Sequence, residues 1–247
     1  MRDHEIRWTP PSSDRPARVL CLGGGAICAA TMDILLKEGC RVVVLDIDPN
    51  CAVAERCLAR PSTEGLWCDE RPVLLVGDAI PTAIDILEDS DVDLLVPAIP
   101  GHAAGKLVMS WGKGRMSPRG SMALFDELSE RLSGHGKVDL EPLSGTIIAT
   151  LNTSTDLCPL DCTQVEICPR TGRPREMDLC EVLREVLDRL AFKSMVIRPA
   201  RIGIFGGITR KDLIAIRDLM RRAEKGDVVA IATSCSCHAI LNTFKVC

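Results

Sequence analysis

Apolar runs of strand length alternate with amphipathic stretches through the first hundred residues. Arg18–Leu22 is an apolar run that ends in Gly23, Gly24 and Gly25; an amphipathic stretch follows, and a second apolar run closes on Asp46. That order predicts a strand, a tight turn, a helix and a second strand. The alternation goes on, with Asn50–Arg60 reading as helical and Pro72–Val76 as a buried strand. Ile80–Glu88 then reads as a helix behind Asp78, and Asp93–Ile99 as the next strand. Strands alternating with helices of this length predict an α/β fold, a doubly wound parallel sheet of Rossmann-like type with helices on both faces.

The pattern loosens between Trp111 and Ser144, where Gly- and Pro-rich turns flank an amphipathic helix over Ser121–Leu132. Gly145–Leu151 reads as a strand that opens a second region. It continues with a strongly amphipathic helix over Glu176–Phe192, a strand over Ser194–Phe205 and a helix capped by Thr209 and running to Lys225. Strands over Asp227–Thr233 and Ile240–Val246 close the chain. The expected division is an N-terminal arm over 1–16, a nucleotide-binding domain over 17–112, a connecting segment over 113–144 and a smaller, cysteine-rich α/β domain over 145–247. Its βαβαβ order fits a ferredoxin-like domain or a continuation of the first sheet.

The glycines add chemistry to the first pattern. Glycine admits backbone angles and a close approach that a Cβ would block, and the helix behind it offers free N–H groups to a phosphate. Asp46 falls 21 positions after Gly25, near where a dinucleotide-binding fingerprint places a carboxylate for the ribose hydroxyls. Gly23 and Gly25 fill the first two glycine positions, and Cys28, a small residue, fills the third. Asp48 is an alternative to Asp46. The rule that ligands bind beyond the carboxyl ends of parallel strands gathers Gly23–Gly25, Asp46, Gly77–Asp78 and Ala98–His102 along one edge. His102 there is either an acid–base group or an incidental helix-start residue.

Residues 18–100 resemble the nucleotide-binding domain of the potassium-uptake regulatory proteins. Gly23, Gly25, the strand-ending Asp46 and the sequence Gly77-Asp78-Ala79 carry the likeness. It implies an adenine nucleotide in the crevice. The carboxylate at Asp46 puts NAD first among such ligands, with Gly23, Gly24, Gly25, Asp46, Gly77, Asp78 and Ala79 as the candidate cofactor-binding residues. The likeness departs at Cys28 and at the Pro97–Pro100 segment, and it carries no channel with it.

Composition narrows the partners. The formal net charge is −4 and aromatic residues make up 3% of the chain, with no tyrosine. Neither an electrostatic footprint for nucleic acid nor a base-stacking platform is expected. No apolar run approaches the length that spans a bilayer, and the charged, proline-rich start lacks the apolar core of a secretory signal. A cytoplasmic protein that meets no membrane is expected, its partner a small-molecule nucleotide, with a homodimer left open.

Thirteen cysteines in such a chain argue for reduced thiols, because an odd count without a signal does not make a disulfide framework. Most are scattered through strand and helix patterns as small core residues. Cys158, Cys162 and Cys168 instead crowd a proline-rich stretch that ends in Thr171-Gly-Arg-Pro-Arg175, and Cys235, Cys237 and His238 follow the strand over Asp227–Thr233. The CPxxC…TGxxR order is similar to that of uncharacterised proteins of anaerobes. A loop with little core of its own gains order from thiolates converging on a metal, so these six residues are a candidate site for zinc or an iron–sulfur cluster. A thiol redox pair and plain core packing are the other readings. The function expected from the sequence is an NAD(P)- or adenine-nucleotide-binding protein, as an oxidoreductase with a thiol or metal site facing the cofactor. The alternatives are a non-catalytic nucleotide or redox sensor and an S-adenosylmethionine-dependent methyltransferase.

Overall fold

A computed structural model of the chain describes residues 7–12, 14–152, 167–168, 172, 174, 176–203 and 205–247. Among them are thirteen strands: β1 (Arg18–Leu22), β2 (Arg41–Asp46), β3 (Leu58–Arg60), β4 (Val73–Val76), β5 (Leu94–Pro97), β6 (Met116–Pro118), β7 (Lys137–Glu141), β8 (Thr146–Thr150), β9 (Lys193–Ile197), β10 (Ala200–Ile202), β11 (Phe205–Thr209), β12 (Val228–Ser234) and β13 (His238–Val246). Six α-helices accompany them: α1 (Ala26–Lys37), α2 (Ala79–Asp89), α3 (Ala103–Trp111), α4 (Met122–Arg131), α5 (Leu179–Arg189) and α6 (Arg210–Arg222). The protein is thus mixed α/β with two multistranded sheets. It divides into two compact units, one of Arg7–Ala103 with Ala200–Leu213 and the other of Ala104–Pro199 with Ile214–Cys247.

The first unit holds a seven-stranded sheet in the order β10-β11-β5-β1-β2-β4-β3. Strands β5, β1, β2, β4 and β3 pair in parallel, whereas β11 lies antiparallel to β5 and β10 antiparallel to β11. Leu20, Leu22, Val43, Leu45 and Leu95 are as fully buried as Val19, Cys21, Val44 and Val96 between them. Burial on both faces explains why these strands read as unbroken apolar runs. Cys28, Met32 and Leu35 follow the spacing of one helix face and join Val19, Cys21, Val44 and Val96 in the core. Cys28, at the third glycine position, is fully buried, and its free thiol shares a hydrogen bond with that of Cys21.

The second unit holds the sheet β7-β8-β13-β12-β9, with β6 paired to the far end of β13. Helix α5 buries Leu179, Leu183, Val186 and Leu187 against Ile147, Ala149, Ala230, Ala232 and Leu241 of three strands, beside Leu124 and Leu128 of α4. The small alanines let the helices approach the sheet. Leu183→Ala in this core should cost about 2–5 kcal/mol.

Two element predictions need correction. Asn50–Arg60 is not a helix. It is a single 3-10 turn over Ala54–Arg56 followed by β3, which pairs in parallel with β4. Pro61 supplies the reason, since a residue before proline is pushed out of the helical region and Arg60 ends the segment extended. Ser194–Phe205 is not one strand either. It breaks at Pro199 into β9, which pairs with β12, and β10, which pairs with β11. Strands β6 and β7 lie within the expected connecting segment, where their short runs carry little apolar signal. The Thr209 cap is present as a reciprocal pair with Asp212, whose N–H reaches Thr209 Oγ1 at 3.3 Å while its Oδ2 accepts from the Thr209 hydroxyl at 2.6 Å.

Candidate metal centre and phosphate-binding turn

Strands β12 and β13 form an antiparallel hairpin in which Ser234 pairs with Ala239. The Cys235 N–H donates to the His238 carbonyl at 2.9 Å, so only Ser236 and Cys237 are left to turn the chain. A turn this tight brings its side chains together. Cys235 Sγ lies 3.9 Å from Cys237 Sγ and 3.8 Å from His238 Nδ1, and Cys237 Sγ lies 3.3 Å from that nitrogen. The three donor atoms fall within 4.8 Å of one another. A tetrahedral zinc with Zn–S near 2.3 Å and Zn–N near 2.0 Å would hold two sulfurs about 3.8 Å apart and a sulfur and a nitrogen about 3.5 Å apart. The turn therefore presents one face of a tetrahedron, and these residues could hold a metal ion.

Electrostatics prepare the same atoms. A hydrogen bond from the Cys237 thiol, with His238 adding to it, lowers the Cys235 thiol from its ordinary 9.0 to about 4, against the opposing effect of burial. The backbone N–H of His238 donates to the same sulfur at 3.2 Å. The shift favours the thiolate at Cys235, the form that ligates metals and attacks electrophiles.

The turn is held from outside the hairpin. The Leu151 N–H donates to the Cys237 carbonyl at 2.8 Å, just beyond β8, and the Leu179 N–H donates to the Ser236 carbonyl at 2.9 Å, at the start of α5. Asp178 caps α5 through the Cys180 N–H at 2.9 Å and forms a buried pair with Arg198. Arg198 also donates to Ser236 Oγ at 3.1 Å. Sequence reading missed Asp178, Ser236 and Arg198; an acid just before a helix start was the available signal for the first.

Of the other predicted ligands, Cys158 and Cys162 lie outside the described residues. Cys168 is half-buried, its carbonyl accepting from the Gly172 N–H at 2.8 Å beside a bridge between Ile167 and Pro174.

In the first unit, the glycine turn follows β1 directly. Gly23 has φ +92°, and a Cβ on it would lie 2.5 Å from the Ala98 carbonyl oxygen. A Cβ on Gly24 would lie 2.3 Å from Cys51 Sγ, whereas one on Gly25 would meet nothing within 4 Å. Gly25 is the N-cap of α1 and provides no side-chain cap, so the first N–H groups of the helix are left to other acceptors. Asp46 Oδ2 accepts from the Gly24 N–H at 2.5 Å and its Oδ1 from the Asp48 N–H at 2.8 Å. The carboxylate ties the strand end to the turn. Asp48 bonds the Asn50 N–H at 2.8 Å within its own loop.

The Gly77 N–H donates to the Asp46 carbonyl at 2.8 Å, Asp78 caps α2 through the Ile80 N–H at 3.2 Å, and Ala79 is buried. Parallel pairing puts Gly23–Gly25, Asp46 and Gly77–Asp78 at neighbouring strand ends. Three large apolar side chains are exposed there too: Ile27 in the first turn of α1, Ile47 after β2 and Val76 ending β4. His102, just ahead of α3, is buried.

Residues 106–247 match a family model described as "Uncharacterized protein, C-terminal domain". The chain belongs to that family. The matched stretch contains the Cys235–His238 turn, with Asp178 and Arg198, and begins after the glycine turn. An "Uncharacterized protein" of Archaeoglobus fulgidus is 23% identical over 229 residues, which cover 91% of this chain and 97% of that protein. No solved structure matches the chain. No helix among the described residues is long and apolar enough to cross a membrane.

Proposed function

We propose that this protein holds one soft divalent metal ion, with zinc the best fit, on Cys235, Cys237 and His238. The observation that carries the reading is the spacing of the three donor atoms, 3.3 to 3.9 Å, which suits ligands of a single ion. In a four-iron cluster each thiolate binds a different iron, and sulfurs so placed stand farther apart. Two thiolates with one imidazole select zinc or a similarly soft ion over magnesium or calcium. When bound, such an ion supplies Lewis acidity. The chain itself contributes a preformed thiolate at Cys235 and a turn pinned from α5 and β8. Cys158, Cys162 and Cys168 are proposed as further ligands on the sequence spacing alone.

Elemental analysis after anaerobic purification, with the absorbance spectrum, tests this reading. One equivalent of zinc and a spectrum without iron–sulfur absorption is the expected result. A protein that neither carries nor takes up any metal would overturn it.

A second reading, that the first unit is a Rossmann-like domain binding NAD or another adenine nucleotide, has its own support. The exposed Gly25, free of any atom where a Cβ would go, stands at a helix N-terminus beside Asp46 and the exposed Ile47 and Val76. A pyrophosphate suits the helix N-terminus and an aromatic base suits the apolar pair. With both sites filled, an oxidoreductase is the enzyme class proposed. Calorimetry with NAD, NADP, ATP and S-adenosylmethionine ranks that class against a sensor and a methyltransferase. No heat with any of the four at millimolar concentration would sink the nucleotide reading.

A further inference from the structure

We propose that Arg198 is the positioning residue of the Cys235–Cys237–His238 donor set and acts on it through Ser236. The inference rests on the metal reading above and adds to it the means by which the donor face is kept in shape.

Arg198 follows β9, which runs parallel to β12 with Ile197 opposite Thr233. The end of β9 thus delivers the guanidinium beside the strand end from which the turn springs. Pro199 comes next and stops the strand, which keeps Arg198 at that level. The guanidinium is largely buried, with Nη2 reaching both oxygens of Asp178 at 2.8 and 2.7 Å and Nη1 donating to Ser236 Oγ at 3.1 Å. Ser236 Oγ in turn lies 3.4 Å from Asp178 Oδ2. Asp178 is itself fixed by the helix it caps. Ser236, the residue between the two thiols, is therefore held by its side chain from Arg198 and Asp178 and by its carbonyl from the Leu179 N–H.

Fixing Ser236 restricts the backbone on which both sulfurs hang. A donor face held before the ion arrives loses less freedom on binding, and so binds more tightly. Arg198 and Asp178 carry opposite charges in one buried pair, so the guanidinium acts by placement and not by adding charge near the thiolates. Placement depends on the planar fork, which grips the carboxylate and the hydroxyl from separate nitrogens. A lysine ammonium cannot reproduce that geometry.

The test is a titration of the metal-free, reduced full chain with Zn²⁺, by competition with a chromophoric chelator, and with Co²⁺, whose visible absorption reports ligand geometry. Arg198→Lys and Ser236→Ala should each weaken binding about tenfold to a hundredfold, the usual size of an outer-shell loss. Both should displace the Co²⁺ absorption band, while the circular dichroism of the metal-free Ser236→Ala protein stays that of the folded wild-type chain. Because the route runs through Ser236, the double variant should bind no more weakly than the weaker single variant. Wild-type affinity and an unshifted Co²⁺ spectrum in folded Ser236→Ala would overturn the proposal, and so would fully additive losses in the double variant. If the wild-type chain takes up neither metal, the metal reading itself fails and this inference with it.

Discussion

The protein carries two turns at strand ends that solve opposite problems. At Gly23–Gly25 the chain removes side chains so that its backbone can be approached; at Cys235–His238 it crowds side chains so that their donor atoms converge. The glycine turn is held from one direction, by Asp46 at the end of the neighbouring strand. The thiol turn is held by Leu151 just beyond β8, by α5 and by Arg198, from residues up to 86 positions away along the chain. A site built from backbone needs little beyond permissive residues in the right order. A site built from side chains needs distant elements to fix where each one points.

The sharpest break between the two turns concerns metal. Cys235→Ser should abolish bound zinc by elemental analysis, while substituting the exposed Cys68 in the same way should leave the metal content unchanged. Arg198→Met comes next in size. It strands the Asp178 carboxylate in a buried position and should cost about 3–5 kcal/mol in denaturant unfolding.

The glycine turn gives the third contrast. Gly23→Ala forces a left-handed residue into the Ala98 carbonyl and should cost at least about 2 kcal/mol by thermal unfolding. Gly25→Val should move stability by less than about 1 kcal/mol, since nothing stands in its way, yet remove the calorimetric signal of NAD or ATP.

The remaining contrast is in pH. Between about 4 and 9.0 the folded metal-free chain binds fewer protons at Cys235 than the unfolded chain does. The thiolate's contribution to stability is therefore complete above pH 9.0 and is lost as the pH falls toward 4. The stability gap between wild type and Cys235→Ser, followed by denaturant titration, should narrow steadily over that fall. Cys235 should also be alkylated by iodoacetamide at mildly acidic pH; a rate that falls away already below pH 9.0 would remove the preformed thiolate.

The first unit was the more legible of the two. Its buried parallel strands read as apolar runs because both faces are covered, and the turn read as a turn because glycines occupy it. The reading erred where a local pattern competed with proline, at Arg60-Pro61 and at Pro199. In the second unit the strong amphipathic helix was visible, as was the motif Cys235, Cys237, His238. That β10 and β11 join the first sheet was less visible, since β11 finds its partner β5 more than a hundred positions earlier.

What the sequence determined alone was local: where apolar periodicity makes strands and helices, where glycine lets the backbone bend, and which residues bear soft donor atoms. Tertiary structure decided the rest. Only the pairing of β12 with β13 turns three donors in a row into one face of a tetrahedron. Only the parallel run of β9 beside β12, with α5 starting on the same level, brings Asp178 and Arg198 to Ser236. Hydrogen bonds and metal coordination act over about 2–4 Å, and separation along the chain says nothing about distances that short until the sheet has closed.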